Sequence, residues 1–141
     1  MDTASALADL SEISSQIETA VIFDPTGTVL GSTAGDETRS KRLARTALDL
    51  VAAAGQVGTT EGRALTQIEG SLREGSVFVV TGDERGIAAT TTPEPTSGLV
   101  FYDLRTCLRA IADEPAAAQS ESARTEPKPR RSRKKQEETD A

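Results

Sequence analysis

Hydrophobic residues near the amino terminus recur every three or four positions, and this spacing predicts an amphipathic helix. The pattern is carried by four aliphatic residues, Leu7, Leu10, Ile13 and Ile17. Thr3 or Ser5 is the expected N-cap, because a side-chain hydroxyl there can accept a bond from a free backbone amide. We expect this first helix to end near Gln16.

The next segment changes to the pattern of a β-hairpin. Apolar runs at residues 20–23 and 28–32 flank the turn Asp24-Pro25-Thr26-Gly27. Proline presets φ, glycine supplies a positive φ, and the aspartate can accept bonds from the turn amides. A phosphate-binding loop would need a longer glycine spacing followed by Lys and Ser or Thr, which Gly27 and Gly31 do not provide. We therefore predict a tight turn between two strands.

A second helix is predicted after a possible capping box formed by Thr33 and Asp36. Its apolar face is rich in alanine and consists of Leu43, Ala47, Leu50, Val51 and Ala54. Gly55 is the expected stop. Small side chains let another helix approach closely, so this face can serve the core or a partner subunit.

Three short strands are predicted next, at residues 64–72, 76–81 and 86–92, joined by turns of hairpin composition. Pro93 and Pro95 then interrupt the chain, and a third amphipathic helix follows a cap at Thr96 or Ser97 and stops before Pro115. The fold class is therefore α+β, with element order α-β-β-α-β-β-β-α. It predicts one antiparallel five-stranded sheet with helices packed on it.

The composition argues against most enzyme chemistry. The 141 residues include no His and one Cys, so the sequence offers no Ser-His-Asp or Cys-His machinery, no imidazole zinc site and no disulfide. Cys107 lies on the apolar side of the third helix and is interpreted as a small buried residue. Asp83 and Glu84 are adjacent acids of a turn rather than metal ligands, and Ser132 matches an S-x-x-K string only by accident. We expect no enzyme activity.

Charge divides the chain into a domain at residues 1–112 and a tail at residues 113–141. The tail carries seven acids and seven bases, so the whole formal charge of −6 lies on the domain. With no Val, Ile, Leu, Phe or Met, the tail is predicted to be disordered. It holds a basic cluster composed of Lys128, Arg130, Arg131, Arg133, Lys134 and Lys135. The acidic amino terminus and the lack of a long apolar run predict a cytoplasmic protein.

Taken in order, these segments resemble the Roadblock/LC7 (dynein light chain type) domains, which are related in shape to longin domains. The first hairpin, "AVIFDPTGTVLGS", has the Asp and Gly of that family's turn. The meander is "ALTQIEGSLREGSVFVVTGDERGIAATT", and the last helix is "SGLVFYDLRTCLRAI". The resemblance runs from about Leu7 to Ile111 and rests on all the pieces together; the basic tail departs from it.

The resemblance implies a dimer, with itself or with a paralogous subunit, that has no catalytic centre, cofactor or small-molecule substrate. In this family two subunits commonly join through the third strand, with the second helices side by side. The positions that correspond to this contact are Leu43, Ala47, Leu50, Ala64, Thr66, Ile68 and Gly70. The third strand is too polar for a sheet centre, which supports an edge position. The alternative is that Glu61 and Glu69 protect the edge of a monomer.

Bacterial members of the family resemble regulators of small Ras-like GTPases, so the resemblance implies an interaction module for such a GTPase. Basic residues of the second helix are the candidate docking residues: Arg39, Lys41, Arg42 and Arg45. For each of them a solvated helix face is the alternative. A second hypothesis is an adaptor that binds nucleic acid or an anionic membrane surface, weakly, through the basic cluster. A PAS-like or longin-like sensor is the third.

Overall fold

The computed structural model describes residues 1–57 and 67–112, and the elements follow the predicted α+β order. They are α1 (Thr3–Ile13), β1 (Ile17–Phe23), β2 (Val29–Ser32), α2 (Glu37–Gly55), β3 (Gln67–Ser71), β4 (Ser76–Thr81), β5 (Gly86–Thr91) and α3 (Ser97–Ala112). Residues 113–141, with the basic cluster, lie outside the described residues.

The five strands form one antiparallel sheet in the order β2-β1-β5-β4-β3. The long first strand and the last strand pair in the middle, where Val21 lies opposite Ala88, and Ala88 also lies opposite Val79 of β4. The meander of β3, β4 and β5 is confirmed. It places β2 and β3 at the two edges of the sheet.

Different helices pack on the two faces of the sheet. Successive side chains of a strand point to opposite faces, so Ile22 and Ile87 pack with α1 and α3, whereas Val21 and Ala88 pack with α2. All four residues are fully buried, and each of the larger aliphatic side chains among them contributes about 1.5–3 kcal/mol of transfer free energy. We refer to the two sides as the α2 face and the α1/α3 face.

The end of the first helix differs from the prediction. It ends at Ile13 and not near Gln16, and Ile17 begins β1, where it pairs with Thr91. The spacing of Ile13 and Ile17 fits a helix, but a β-branched residue also fits a half-buried strand, and tertiary pairing decides between the two. The N-cap is Asp2 rather than Thr3 or Ser5, because the Asp2 carboxylate accepts a bond from the amide of Ser5.

The ends of α2 also differ from the prediction. Asp36 is the N-cap and accepts a bond from the amide of Thr38, whereas the Thr33 hydroxyl accepts a bond from Ala20 in β1. The predicted capping box between Thr33 and Asp36 is therefore wrong. The box requires the Thr33 hydroxyl to accept a bond from the helix, but this hydroxyl accepts its bond from Ala20 of the sheet. Gly55 is the last helical residue rather than the residue after the helix.

The described part of the chain was also searched for membrane-spanning helices. None of α1, α2 and α3 combines the length and the hydropathy that a bilayer crossing requires.

Candidate interaction surface

The turn between β1 and β2 is a tight turn, as predicted. Gly27 has φ of 94°, and its amide donates to the Asp24 carbonyl at 2.9 Å. Asp24 Oδ1 accepts bonds from the amides of Thr26 and Thr28 and from the Thr26 hydroxyl. That hydroxyl is the main cause that lowers the pKa of Asp24. The amides that a phosphate would require are therefore already bonded to Asp24.

The described residues bring together no group of three or more His, Cys, Asp or Glu side chains that could hold a metal ion. Cys107 is buried, in agreement with its place in the helix pattern. Burial, and after it the Asp9 carboxylate, raises the pKa of the Cys107 thiol to about 11, so the thiol stays protonated at neutral pH.

Helix α2 covers only part of the α2 face of the sheet. Helix α2 packs mainly over β1, β2 and β5. A five-stranded sheet is about 19 Å wide between its outer strands and a helix is about 10 Å across, so one helix covers about half of such a face. On the opposite face two helices share the same width. Where β3 and β4 form the α2 face, Val79 is fully buried, whereas Val77, Ile68 and Gly70 are only half-buried among the described residues. We call the surface formed by these three residues and the neighbouring exposed Leu72 the open half-face.

The open half-face contains partly exposed apolar residues. Val77 of β4 and Ile68 of β3 are half-buried, and Leu72, just after β3, is 65% exposed. A depression of about 250 Å³ lies between this region and α2. It is lined by Thr19, Arg39, Arg42, Leu43, Thr46, Leu72, Val77 and Thr90.

The four candidate docking residues lie on two different flanks of α2. Arg39 and Arg42 line the depression beside the open half-face. Lys41 pairs with Glu37 at 3.2 Å, and Arg45 pairs with Asp49 at 3.9 Å on the exposed surface. The Arg45 guanidinium also lies near Gly27, at the turn between β1 and β2. The structure therefore separates the set into two pairs, of which only Arg39 and Arg42 lie beside the depression.

The residues predicted for a subunit contact also have different surroundings. Leu43 and Leu50 are half-buried on α2, and Leu43 lines the depression. Ala47 is fully buried against the sheet of its own chain, so its side chain offers no surface to a partner. Ile68 and Gly70 are half-buried in β3. Ala64 and Thr66 lie outside the described residues.

Strand β3 has one neighbour among the described strands, which is β4. Its polar side chains are bound on the α1/α3 face: Ser97 Oγ donates to Glu69 Oε2 at 2.7 Å, and Arg105 Nη1 donates to Gln67 Oε1 at 2.8 Å. Hydrogen bonds to α3 thus explain the polarity of β3. Its outer backbone edge has no strand paired to it within the described residues.

The fold is shared with several solved structures. The Roadblock/LC7 domain from Streptomyces avermitilis is 18% identical and has a TM-score of 0.72, and the match covers 79% of this chain and 96% of that chain. The gliding protein MglB from Thermus thermophilus is 16% identical with a TM-score of 0.66, covering 78% and 85%. An MglB with a tetrameric arrangement is 16% identical with a TM-score of 0.60, covering 78% and 85%. No protein-family model matches the sequence, and no curated protein matches it.

Proposed function

This chain has the Roadblock/LC7 fold, and on that premise we propose that it is a non-catalytic, dimeric interaction module for a small Ras-like GTPase. The proposal depends on one observation above all. The open half-face lies beside the free edge of β3, so two adjacent surfaces of one chain are unpartnered among the described residues.

Pairing of two β3 strands would complete both surfaces at once. A two-fold axis beside β3 brings the same edge of a second copy into antiparallel pairing, which is an isologous contact. The pairing satisfies the outer amides of β3, which otherwise form a template for nonspecific association. The partner also covers part of the open half-face, including half-buried Ile68 and Gly70.

The bonds of Glu69 support pairing over the alternative of a protected monomer edge. Charged side chains block an edge when they stand free beside it. The Glu69 carboxylate instead accepts a hydrogen bond from Ser97 of α3, on the α1/α3 face. Glu61, the other acid of that alternative, lies outside the described residues.

The mass of the full chain in solution tests the dimer. Sedimentation equilibrium at micromolar concentration is expected to give twice the chain mass of 14.8 kDa. A mass of one chain over the whole concentration range would contradict self-association through the shared edge. If the partner is a paralogue, this chain by itself would give the mass of one chain. A mixture of this chain with the paralogue would give the summed mass of two unlike chains.

Arg39 and Arg42 support the docking part of the proposal. They are cationic side chains beside an apolar depression next to the predicted subunit contact. Charges at the border of an interface guide encounter and orientation, and an interaction module that selects one switch arrangement of a GTPase needs no catalytic side chain. The choice of a GTPase as partner comes from the family resemblance.

Binding to purified GTPases tests this part. Each small Ras-like GTPase of the source organism is loaded with GDP or a non-hydrolysable GTP analogue and titrated with the full chain. We expect one of them to bind, and the pair Arg39→Glu and Arg42→Glu to weaken it by about ten-fold or more. The matched control is Lys41→Glu with Arg45→Glu, which makes the same charge change on the other flank. Absence of binding by every GTPase, or an equal loss in both variants, would contradict this docking site.

A further inference from the structure

A groove between α1 and α3 lies on the opposite side of the molecule from α2. It has a volume of about 340 Å³ and is open to solvent. Its lining residues are Met1, Ala6, Asp9, Leu10, Ile13, Tyr102, Asp103, Thr106, Cys107 and Ala110. Neither the sheet edges nor the open half-face contribute to it, so it is a separate surface.

The rim of the groove exposes large apolar side chains. Ile13 is 67% exposed and Tyr102 is 59% exposed, although both lie next to a floor formed by the buried residues Leu10 and Cys107. A contiguous apolar patch of this kind is typical of a surface that binds another molecule. Apolar contact alone does not indicate which molecule binds in the groove. The charged groups of the groove indicate its chemical class.

Asp103 is a largely buried residue that lines this groove. It is only 7% exposed, and within the described residues it has neither a hydrogen bond nor an ion pair. Burial raises the pKa of Asp103, which shows that its surroundings disfavour the ionised form. An unpaired buried carboxylate is costly, and a cation that reaches it removes much of that cost.

One further negative charge and the amino-terminal positive charge also lie at the groove. Asp9 lines it from α1, and α1 itself contains no Lys or Arg. On α3, Arg105 donates to Gln67 on the sheet side, and Arg109 does not line the groove. The amino group of Met1 donates to the carbonyl of Ala110 rather than to either carboxylate. The groove therefore has apolar walls, two acidic side chains and one cationic group, the amino terminus, which is bonded to a backbone carbonyl.

We propose that this groove binds a lysine or arginine side chain of a partner protein, presented on a segment with apolar residues on either side. Such a side chain has an apolar stem and a cationic tip, which match the walls and the carboxylates of Asp103 and Asp9. The apolar neighbours of the segment cover Ile13 and Tyr102, which a free small amine would leave exposed. Because this surface lies opposite the α2 face, the module can hold this second partner and a GTPase together.

The test selects peptides from a random library on the immobilised full chain and measures the affinity of the enriched sequences. We expect enriched peptides to carry a Lys or Arg between apolar residues and to shift the NMR signals of Tyr102 and Cys107. Asp103→Asn and Asp9→Asn are each expected to weaken binding by about ten-fold or more. Glu12→Gln is the matched control, since it removes one exposed acid of α1 that does not line the groove.

Three outcomes of the peptide selection would overturn the proposal. The first is that the library gives no enriched peptide, and the second is that the enriched peptides lack a basic residue. The third is that these peptides bind the two Asp variants as tightly as they bind the wild type. A fourth measurement separates a peptide from a small amine: if n-butylammonium binds as tightly as the best peptide, the occupant is a free amine and the proposal fails. Asp9→Asn lies on an exposed position, so it decides the question should Asp103→Asn not fold. None of these results depends on the dimer or on GTPase binding.

Discussion

Asp103 is expected to make the stability of this chain depend on pH. Its pKa is raised in the folded state by burial, so the folded chain binds this proton more tightly than the unfolded chain does. The resulting stabilisation is fully present below the unfolded-state pKa, which is the ordinary aspartate value of 3.8. It is lost as the pH rises through the folded-state pKa. At neutral pH the buried carboxylate is therefore a net cost.

The variant Asp103→Asn isolates this contribution. At neutral pH we expect it to raise the free energy of unfolding by about 1 kcal/mol, because an amide is cheaper to bury than a carboxylate. The gain shrinks as the pH falls through the raised pKa of Asp103, where the wild-type carboxyl takes up its proton. Urea unfolding of both proteins over this pH range measures the difference. The other titratable groups at this groove are Asp9, Cys107, Tyr102 and the amino terminus, and they are common to both proteins. A gain that is independent of pH would contradict the titration of Asp103.

Helix α2 provides a matched pair of leucines that tests the proposed dimer. Leu43 and Leu48 are both half-buried and both pack against the core under α2. Leu43 lines the depression beside the open half-face, whereas Leu48 lies near Gly27 at the other flank. We expect Leu43→Asp to weaken dimerisation at least about ten-fold and Leu48→Asp to leave it unchanged. Both variants lose comparable core packing, so unfolding measurements provide the control.

Sedimentation equilibrium of the two variants gives the result. A monomer from Leu43→Asp with a dimer from Leu48→Asp supports a contact on the flank beside the open half-face. Equal dimerisation of both variants, or loss of the dimer in Leu48→Asp alone, would contradict it.

The sequence predicts the elements better than it predicts their ends. Apolar periodicity finds every helix and strand because burial of one face imposes that period. The ends depend on contacts between residues that are distant in the sequence. The Thr33 hydroxyl accepts a hydrogen bond from Ala20 of β1 and therefore does not cap α2. Ile17 fits either pattern, and its pairing with Thr91 places it in a strand. Neither contact is visible in the local sequence.

The candidate surfaces are predictable only in part, because they too depend on contacts between residues that are distant in the sequence. The polarity of β3 indicates an edge strand, which the topology confirms. The division of Arg39 and Arg42 from Lys41 and Arg45 needs the position of α2 on the sheet. The groove at Asp103 was not predicted, because the sequence pattern of one helix places an acidic residue on its solvent-exposed face. The burial of Asp103 depends on a second helix that packs beside it.

The layered arrangement gives the described part of the chain two distinct candidate interaction surfaces. Two helices cover the α1/α3 face and leave a groove between them, whereas one helix on the other face leaves the open half-face. A chain with its formal charge of −6 in residues 1–112 repels nucleic acid and anionic lipid through this body. We therefore expect any contact with such a polyanion to come from the basic cluster.

Replacement of all six basic residues of that cluster by Gln in the full chain tests this contribution. We expect the wild type to bind duplex DNA or phosphatidylserine vesicles weakly, with an affinity that falls steeply as salt is added. Six neutralised phosphates set an upper limit of about 5 for the slope of log affinity against log salt on DNA. The Gln variant is expected to lose this binding and to retain its mass in solution and its GTPase binding, because those belong to the folded body. Binding of the polyanion that survives the replacement would contradict the tail as its source, and a GTPase affinity that disappears with the cluster would move the docking site from α2 to the tail.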